Sequence, residues 1–153
     1  LSELKGMPLE QVKQMNKQVE RSAEAVGLTF NNDTAKYTNT FDAHRLFHFA
    51  KEVGKGNELD ERLKKAYFTD SLLISDFDTL TALADEVGIS KEDARIVLES
   101  NRYTDEVNAE INEAVQIGVR GVPFFVFDRK YAVSGAQPKE IFTKTLETVW
   151  ADK

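Results

Sequence analysis

The chain has 153 residues, 41% hydrophobic and 30% charged, with a formal net charge of −6. It is long enough to bury one real core and too rich in aliphatic and aromatic residues for disorder to dominate. No run approaches the ~18 apolar residues of a membrane span, and 26 acidic against 20 basic residues leave no electrostatic footprint for nucleic acid.

Six helical segments are predicted first, with no repeat at a fixed period. The first runs from about Pro8 to Val26, where Leu9, Val12, Met15, Val19, Ala23 and Val26 form an apolar stripe ended by Gly27. Leu28 to Asp33 reads as extended or turn. The second helix starts near Asn39 or Thr40, buries Ala43, Leu46, Phe47, Ala50 and Val53, and stops at Gly54. The third covers Asn57 to Phe68, with Leu59, Leu63, Ala66 and Tyr67 inward. Ser75-Asp76-Phe77-Asp78 opens the fourth, which closes at Gly88, and Ser90-Lys91-Glu92-Asp93 opens the fifth with the same signal. The sixth spans Tyr103 to Ile117, with Val107, Ile111, Ala114 and Val115 on one side.

After Gly118 the period changes. Phe124-Phe125-Val126-Phe127 is a short apolar run, Asp128-Arg129 a two-residue turn, and Lys130-Tyr131-Ala132-Val133 the returning strand. Gln137-Pro138 opens a last helix carrying Ile141, Phe142, Leu146, Val149 and Trp150. Successive strand residues face opposite ways, so Phe124 and Val126 oppose Phe125 and Phe127, and both faces are apolar. That is the pattern of a strand covered on both sides. A lone hairpin is marginal in water and keeps two open edges. The expectation is either a sheet completed from outside this chain or a hairpin buried by helices alone. Leu28-Thr29-Phe30 is the best of few other strand candidates.

Pro123 directly precedes the apolar strand. Proline cannot donate to a ladder and belongs at a strand's first residue or an edge. A cis Val122–Pro123 peptide would leave the Val122 backbone free to pair with an extended ligand; a trans proline punctuating a loop is the alternative.

Cysteine is absent, which removes disulfides, thiolate metal sites and cysteine nucleophiles. His44 and His48 lie four apart on a helix, a spacing metal ligands can use. They are the chain's two histidines and no third ligand is recognisable, so a solvated helix face is expected and no metal. No Ser, Thr or Lys sits in a nucleophile context. The first residue is Leu1 and no signal segment follows, so a processed product or a piece of a longer gene is expected.

The stretch from Gly118 to Phe127, with Gly121-Val122-Pro123 at its centre, and the following Lys130 to Pro138 resemble the C-terminal half of the DsbA-like thioredoxin-fold oxidoreductases, most closely their FrnE-type branch. Asn39-Thr40-Phe41-Asp42-Ala43-His44-Arg45-Leu46 resembles that branch's helical-domain signature. The resemblance covers essentially the whole chain. It implies an α+β, mostly helical fold: a helical insertion domain over residues 1–118, and over residues 119–153 the C-terminal half of a thioredoxin-like core. It also implies a first strand, a Cys-x-x-Cys motif and a second strand upstream of Leu1.

No catalytic residue is carried over. By resemblance, Gly121, Val122 and Pro123 form the substrate-binding turn, and His44 and Arg45 lie near the active-site groove, with a packing role open for Arg45. The partners implied are a thiol or disulfide peptide or protein, with no cofactor, no nucleic acid and no membrane. A cytoplasmic location and a homodimer through the open sheet edge are expected. Two rival readings stand: a glutathione-using relative of the kappa-class transferase or 2-hydroxychromene-2-carboxylate isomerase type, and a cysteine-free peptide-binding scaffold. Cys-x-x-Cys upstream would favour the oxidoreductase.

Overall fold

Local sequence signals account for most of the helix boundaries. The computed structural model describes residues 8–153, with helices α1 (Leu9–Glu24), α2 (Phe41–Glu52), α3 (Gly56–Phe68), α4 (Phe77–Glu86), α5 (Lys91–Glu99) and α6 (Thr104–Gln116). Strands β1 (Phe124–Phe127) and β2 (Tyr131–Ser134) and helix α7 (Lys139–Ala151) follow. The fold is α+β and mostly helical. It divides into two compact units, one up to Val107 and one from Asn108 to Lys153.

Two helix starts are side-chain caps. At α4, Asp76 Oδ2 accepts the Thr79 N–H at 2.7 Å and the Thr79 hydroxyl at 2.8 Å. At α5, Ser90 Oγ accepts the Asp93 N–H at 3.1 Å and donates to Asp93 Oδ2 at 2.6 Å. These satisfy backbone donors that the helix leaves unpaired. The Thr79 bonds hold the Asp76 carboxyl below its ordinary range, the backbone bond contributing most. A lowered folded value means the cap stabilises above the ordinary carboxylate range and fades as pH falls through that lowered value. The urea midpoint should therefore drop below about pH 4, and Asp76→Asn should flatten that acid limb. An unchanged limb in the variant would assign the acid sensitivity elsewhere.

The core of the first unit is one cluster, built where α2 packs on α3 and α5, and α4 on α5. Leu46, Leu59, Leu80 and Val97 are fully buried in it. On α2 the inward face differs from the periodic reading. Phe49 and Arg45 are buried, whereas Phe47 is half-buried and Val53 exposed. The apolar pattern could not place an arginine inside, and that arginine turns the buried face toward α5.

The α1 stripe is also corrected. Val12 and Ala23 are buried, but Leu9, Met15, Val19 and Val26 are exposed. Two polar contacts tie this helix to the loop that follows it. Glu20 accepts the Asn32 N–H at 2.9 Å, and the Asn16 carbonyl accepts the Asn32 side chain at 3.4 Å. Residues 28–30 form no strand; they are tied to the end of α3 instead. Thr69 Oγ1 donates to the Thr29 carbonyl at 2.7 Å, and the Asn31 N–H donates to the Phe68 carbonyl at 2.7 Å.

In the second unit β1 and β2 pair antiparallel, with Phe124 opposite Ser134 and Phe127 opposite Tyr131. The returning strand starts one residue later than the sequence suggests. Asp128 and Arg129 both adopt positive φ, 50° and 55°, and the Lys130 N–H closes the turn on the Phe127 carbonyl at 3.1 Å. Lys130 is then a third loop residue, and Tyr131 takes the pairing position.

Directly paired residues share a face. On one face Phe125 meets Phe142 of α7 edge-on, ring centroids 4.9 Å apart; Val133 is buried there, and the Tyr131 hydroxyl donates to Asp152. The other face carries Phe124, Val126, Ala132 and Ser134 and is largely open, with Val126 45% exposed. Phe125 also remains 40% exposed. The expectation of a strand covered on both faces is therefore not met within the second unit. Among the described residues the sheet has two strands, and no other strand pairs with the outer edge of β1.

Candidate functional site

The turn before β1 is built by the end of α6. The Gly118 N–H donates to the Val115 carbonyl at 3.1 Å and the Val119 N–H to the Ala114 carbonyl at 3.0 Å, with Gly118 at φ 82°. This paired closure stops the helix and sends the chain away as a loop. The left-handed φ is what requires glycine there. Gly121, Val122 and Pro123 follow, all exposed, and the Val122–Pro123 peptide is cis.

The Pro123 carbonyl accepts the Gly135 N–H at 2.8 Å, which extends the hairpin ladder by one bond. The ladder stops there. Among the described residues the Val122 N–H and C=O make no hydrogen bond, and the Val122 side chain is 90% exposed. The segment thus presents one free donor, one free acceptor and an apolar side chain at the head of β1. It carries no nucleophile and no acid or base, so its chemistry is that of a holder. An extended polypeptide needs such backbone partners in order to pair with a strand edge.

His44 and Arg45 are neighbours on α2 with opposite environments. His44 is exposed. Arg45 is 4% exposed and its guanidinium is engaged with backbone carbonyls. Nε donates to Arg102 at 2.9 Å and Nη2 to Val97 at 2.8 Å; Nη2 also donates to Ser100, and Nη1 reaches Leu98 at 3.4 Å. Nη1 also pairs with Asp42 at 2.7 Å. The last carbonyls of a helix lack partners within it; Arg45 closes the end of α5 from another helix. Such a guanidinium has no donor left over for a ligand.

His48, one turn further on, stacks on Tyr103 with ring centroids 6.1 Å apart. The Tyr103 hydroxyl donates to Glu52 at 2.5 Å and accepts from Arg102 at 2.9 Å. Burial, then the Glu52 carboxylate, pushes the Tyr103 phenol above its ordinary value. This cluster is not visible in sequence, because Glu52 and Tyr103 are 51 residues apart. Among the described residues no group of three or more His, Cys, Asp or Glu is placed to hold a metal, and no helix is long and apolar enough to cross a membrane.

A family model for the DSBA-like thioredoxin domain matches residues 3–147. The chain belongs to the DSBA-like thioredoxin domain family. It is 32% identical over 130 residues to the uncharacterized protein YwbO of Bacillus subtilis (strain 168), covering 84% of this chain and 64% of YwbO. A crystal structure from Streptomyces coelicolor, named a probable DsbA oxidoreductase, superposes with a TM-score of 0.93 at 39% identity, covering 100% of this chain and 66% of that one. A crystal structure from Nitrosomonas europaea matches with a TM-score of 0.73 over 95% of this chain and 76% of that one; at 17% identity this likeness shows the fold alone. The chain therefore spans just under two thirds of the length of the first two relatives.

Proposed function

We propose that this chain is the substrate-holding part of a thiol–disulfide oxidoreductase of the FrnE-like branch. Residues 1–118 would be its helical insertion and residues 119–153 half of its thioredoxin-like core. The observation that carries this reading is the free Val122 backbone before β1, in a chain of the DSBA-like family. Gly121, Val122 and Pro123 hold an extended thiol- or disulfide-bearing polypeptide, while a Cys-x-x-Cys pair outside these 153 residues does the exchange. One thiolate of that pair attacks a substrate disulfide and expels a substrate thiolate. The second thiol then resolves the mixed disulfide, so the enzyme pair is oxidised as the substrate is reduced.

His44, exposed on α2, remains a candidate contact for substrate. Arg45 serves this function through the architecture of the helical part. In the isolated chain, the second unit's open apolar face and the free edge of β1 are proposed to pair two copies.

The test is dithiothreitol-driven insulin reduction. The protein expressed from its whole gene should accelerate it, and the 153-residue chain alone should stay at the uncatalysed rate. A reproducible, heat-sensitive acceleration by the chain alone would overturn the assignment of the thiols. Inactivity of the whole protein as both reductant and oxidant would overturn the reading itself.

A further inference from the structure

We infer that Arg120 makes the edge at Val122 selective for polypeptides with an acidic residue within two positions of the one paired to Val122. The inference rests on the proposed function and names the substrate class of that same site. The stretch from Ala114 to Phe127 contains one charged residue, Arg120, and no carboxylate. Arg120 is exposed and stands two residues before Val122, a separation of at most about 7 Å along the chain. Beside Gly121, which lies between them, the space is open: apart from its chain neighbours, no atom lies within 4 Å of where a Cβ would stand. The turn itself therefore leaves room for a second chain to lie along it.

No carboxylate of this chain occupies the arginine. Residues 108–153 carry as many acids as cations, so the positive charge at the turn is local rather than general. The nearest acids in sequence on either side are engaged elsewhere: Glu113 pairs with Arg129, and Asp128 lies 3.8 Å from Lys130. Asp152 accepts the Tyr131 hydroxyl. Among the described residues Arg120 forms no ion pair within 4.0 Å.

A strand held by the Val122 backbone brings its own side chains alongside the turn. Opposed and diagonal neighbours across a strand pair lie within reach of a long side chain. A guanidinium is a planar fork of donors that a carboxylate matches with two bonds. The Val122 side chain is apolar and 90% exposed, so it adds no charge preference, and the sign of the site is that of Arg120. The edge is open to solvent, which screens the pair and keeps it modest. Such a contact chooses among substrates, while the backbone bonds at Val122 hold them.

The test is steady-state turnover by the protein expressed from its whole gene. The substrates are an uncharged disulfide-bearing peptide and variants of it with a single Glu or Lys at each successive position. Each kcat/KM is taken relative to the uncharged parent, so a general loss of activity or of fold cancels. At low salt at least one position should favour Glu over Lys by about fivefold, and near about 1 M salt the ratio should approach one. Arg120→Gln should erase the preference and Arg120→Glu should invert it. A flat or Lys-favouring profile, or a preference for Glu that survives in both variants, would overturn the inference and leave the proposed function standing. No turnover of any peptide would overturn both.

Discussion

Arg45→Ala should lower the unfolding free energy of the chain by about 3 kcal/mol, and the urea midpoint should fall accordingly. The guanidinium is buried and donates to carbonyls of Val97, Ser100 and Arg102 at the end of α5. Removing it strands several carbonyls at once, each worth about 1–3 kcal/mol if left dry. Water entering the vacated space recovers part of that, which is why the estimate is below the sum. Asp42 is the smaller partner, with a side chain 34% exposed. Asp42→Asn should therefore cost about 1 kcal/mol or less, since a partly exposed pair is screened by solvent. Arg45→Lys keeps the charge but loses the planar fork, and should fall between the two. An Arg45→Ala loss below about 1 kcal/mol would mean that water satisfies these carbonyls as well as arginine does.

A second large effect is expected in association. The described part of the second unit leaves Ile111, Val115, Phe125, Val126, Leu146 and Trp150 exposed, Trp150 by 78%. The edge of β1 facing away from β2 has no strand partner among the described residues. An unpaired edge next to open apolar surface templates pairing with another chain. Covering each large side chain fully contributes about 1.5–3 kcal/mol. Two-fold contact is the commonest closed arrangement. The isolated 153-residue chain should run as a dimer by light scattering at micromolar concentration, with an interface above about 1,000 Å². Replacing Val126 by Lys should shift it toward monomer while its far-ultraviolet spectrum is kept. A monodisperse monomer of the native chain would refute the pairing.

The same contrast between local and distant causes explains what the sequence discloses. Helix starts were legible because caps act within three residues: Asp76 with Thr79 and Ser90 with Asp93 both form. Helix faces were legible where apolar spacing alone decides, as for Leu59, Leu63 and Ala66 on α3. They were not legible where a polar group decides. Arg45 turned inward because carbonyls more than fifty residues away needed donors, and no periodic reading carries that demand. On α1, Asn16 and Glu20 bond Asn32 while Leu9, Met15, Val19 and Val26 stay exposed, an outcome that apolar spacing alone does not carry. The sequence predicts a two-residue turn at Asp128 and Arg129, but these residues do not set the register; the pairing of Tyr131 with Phe127 does, and it leaves Lys130 in the loop. The position of Val122 and Pro123 at the head of a strand was readable, since proline ends a ladder. That the Val122 backbone stays unpaired needed the structure, because it depends on where the bond from Gly135 falls.

The peptide edge at Val122 is proposed to hold an extended substrate. The direct measurement is amide hydrogen exchange at Val122 in the whole protein, free and trapped as a mixed disulfide with a cysteine-containing peptide. The free amide should exchange quickly, since the Val122 N–H has no acceptor among the described residues. In the trapped complex it should slow by an order of magnitude or more, as a strand-type bond forms to the peptide. Equal exchange in both states, with the peptide demonstrably attached, would contradict the account.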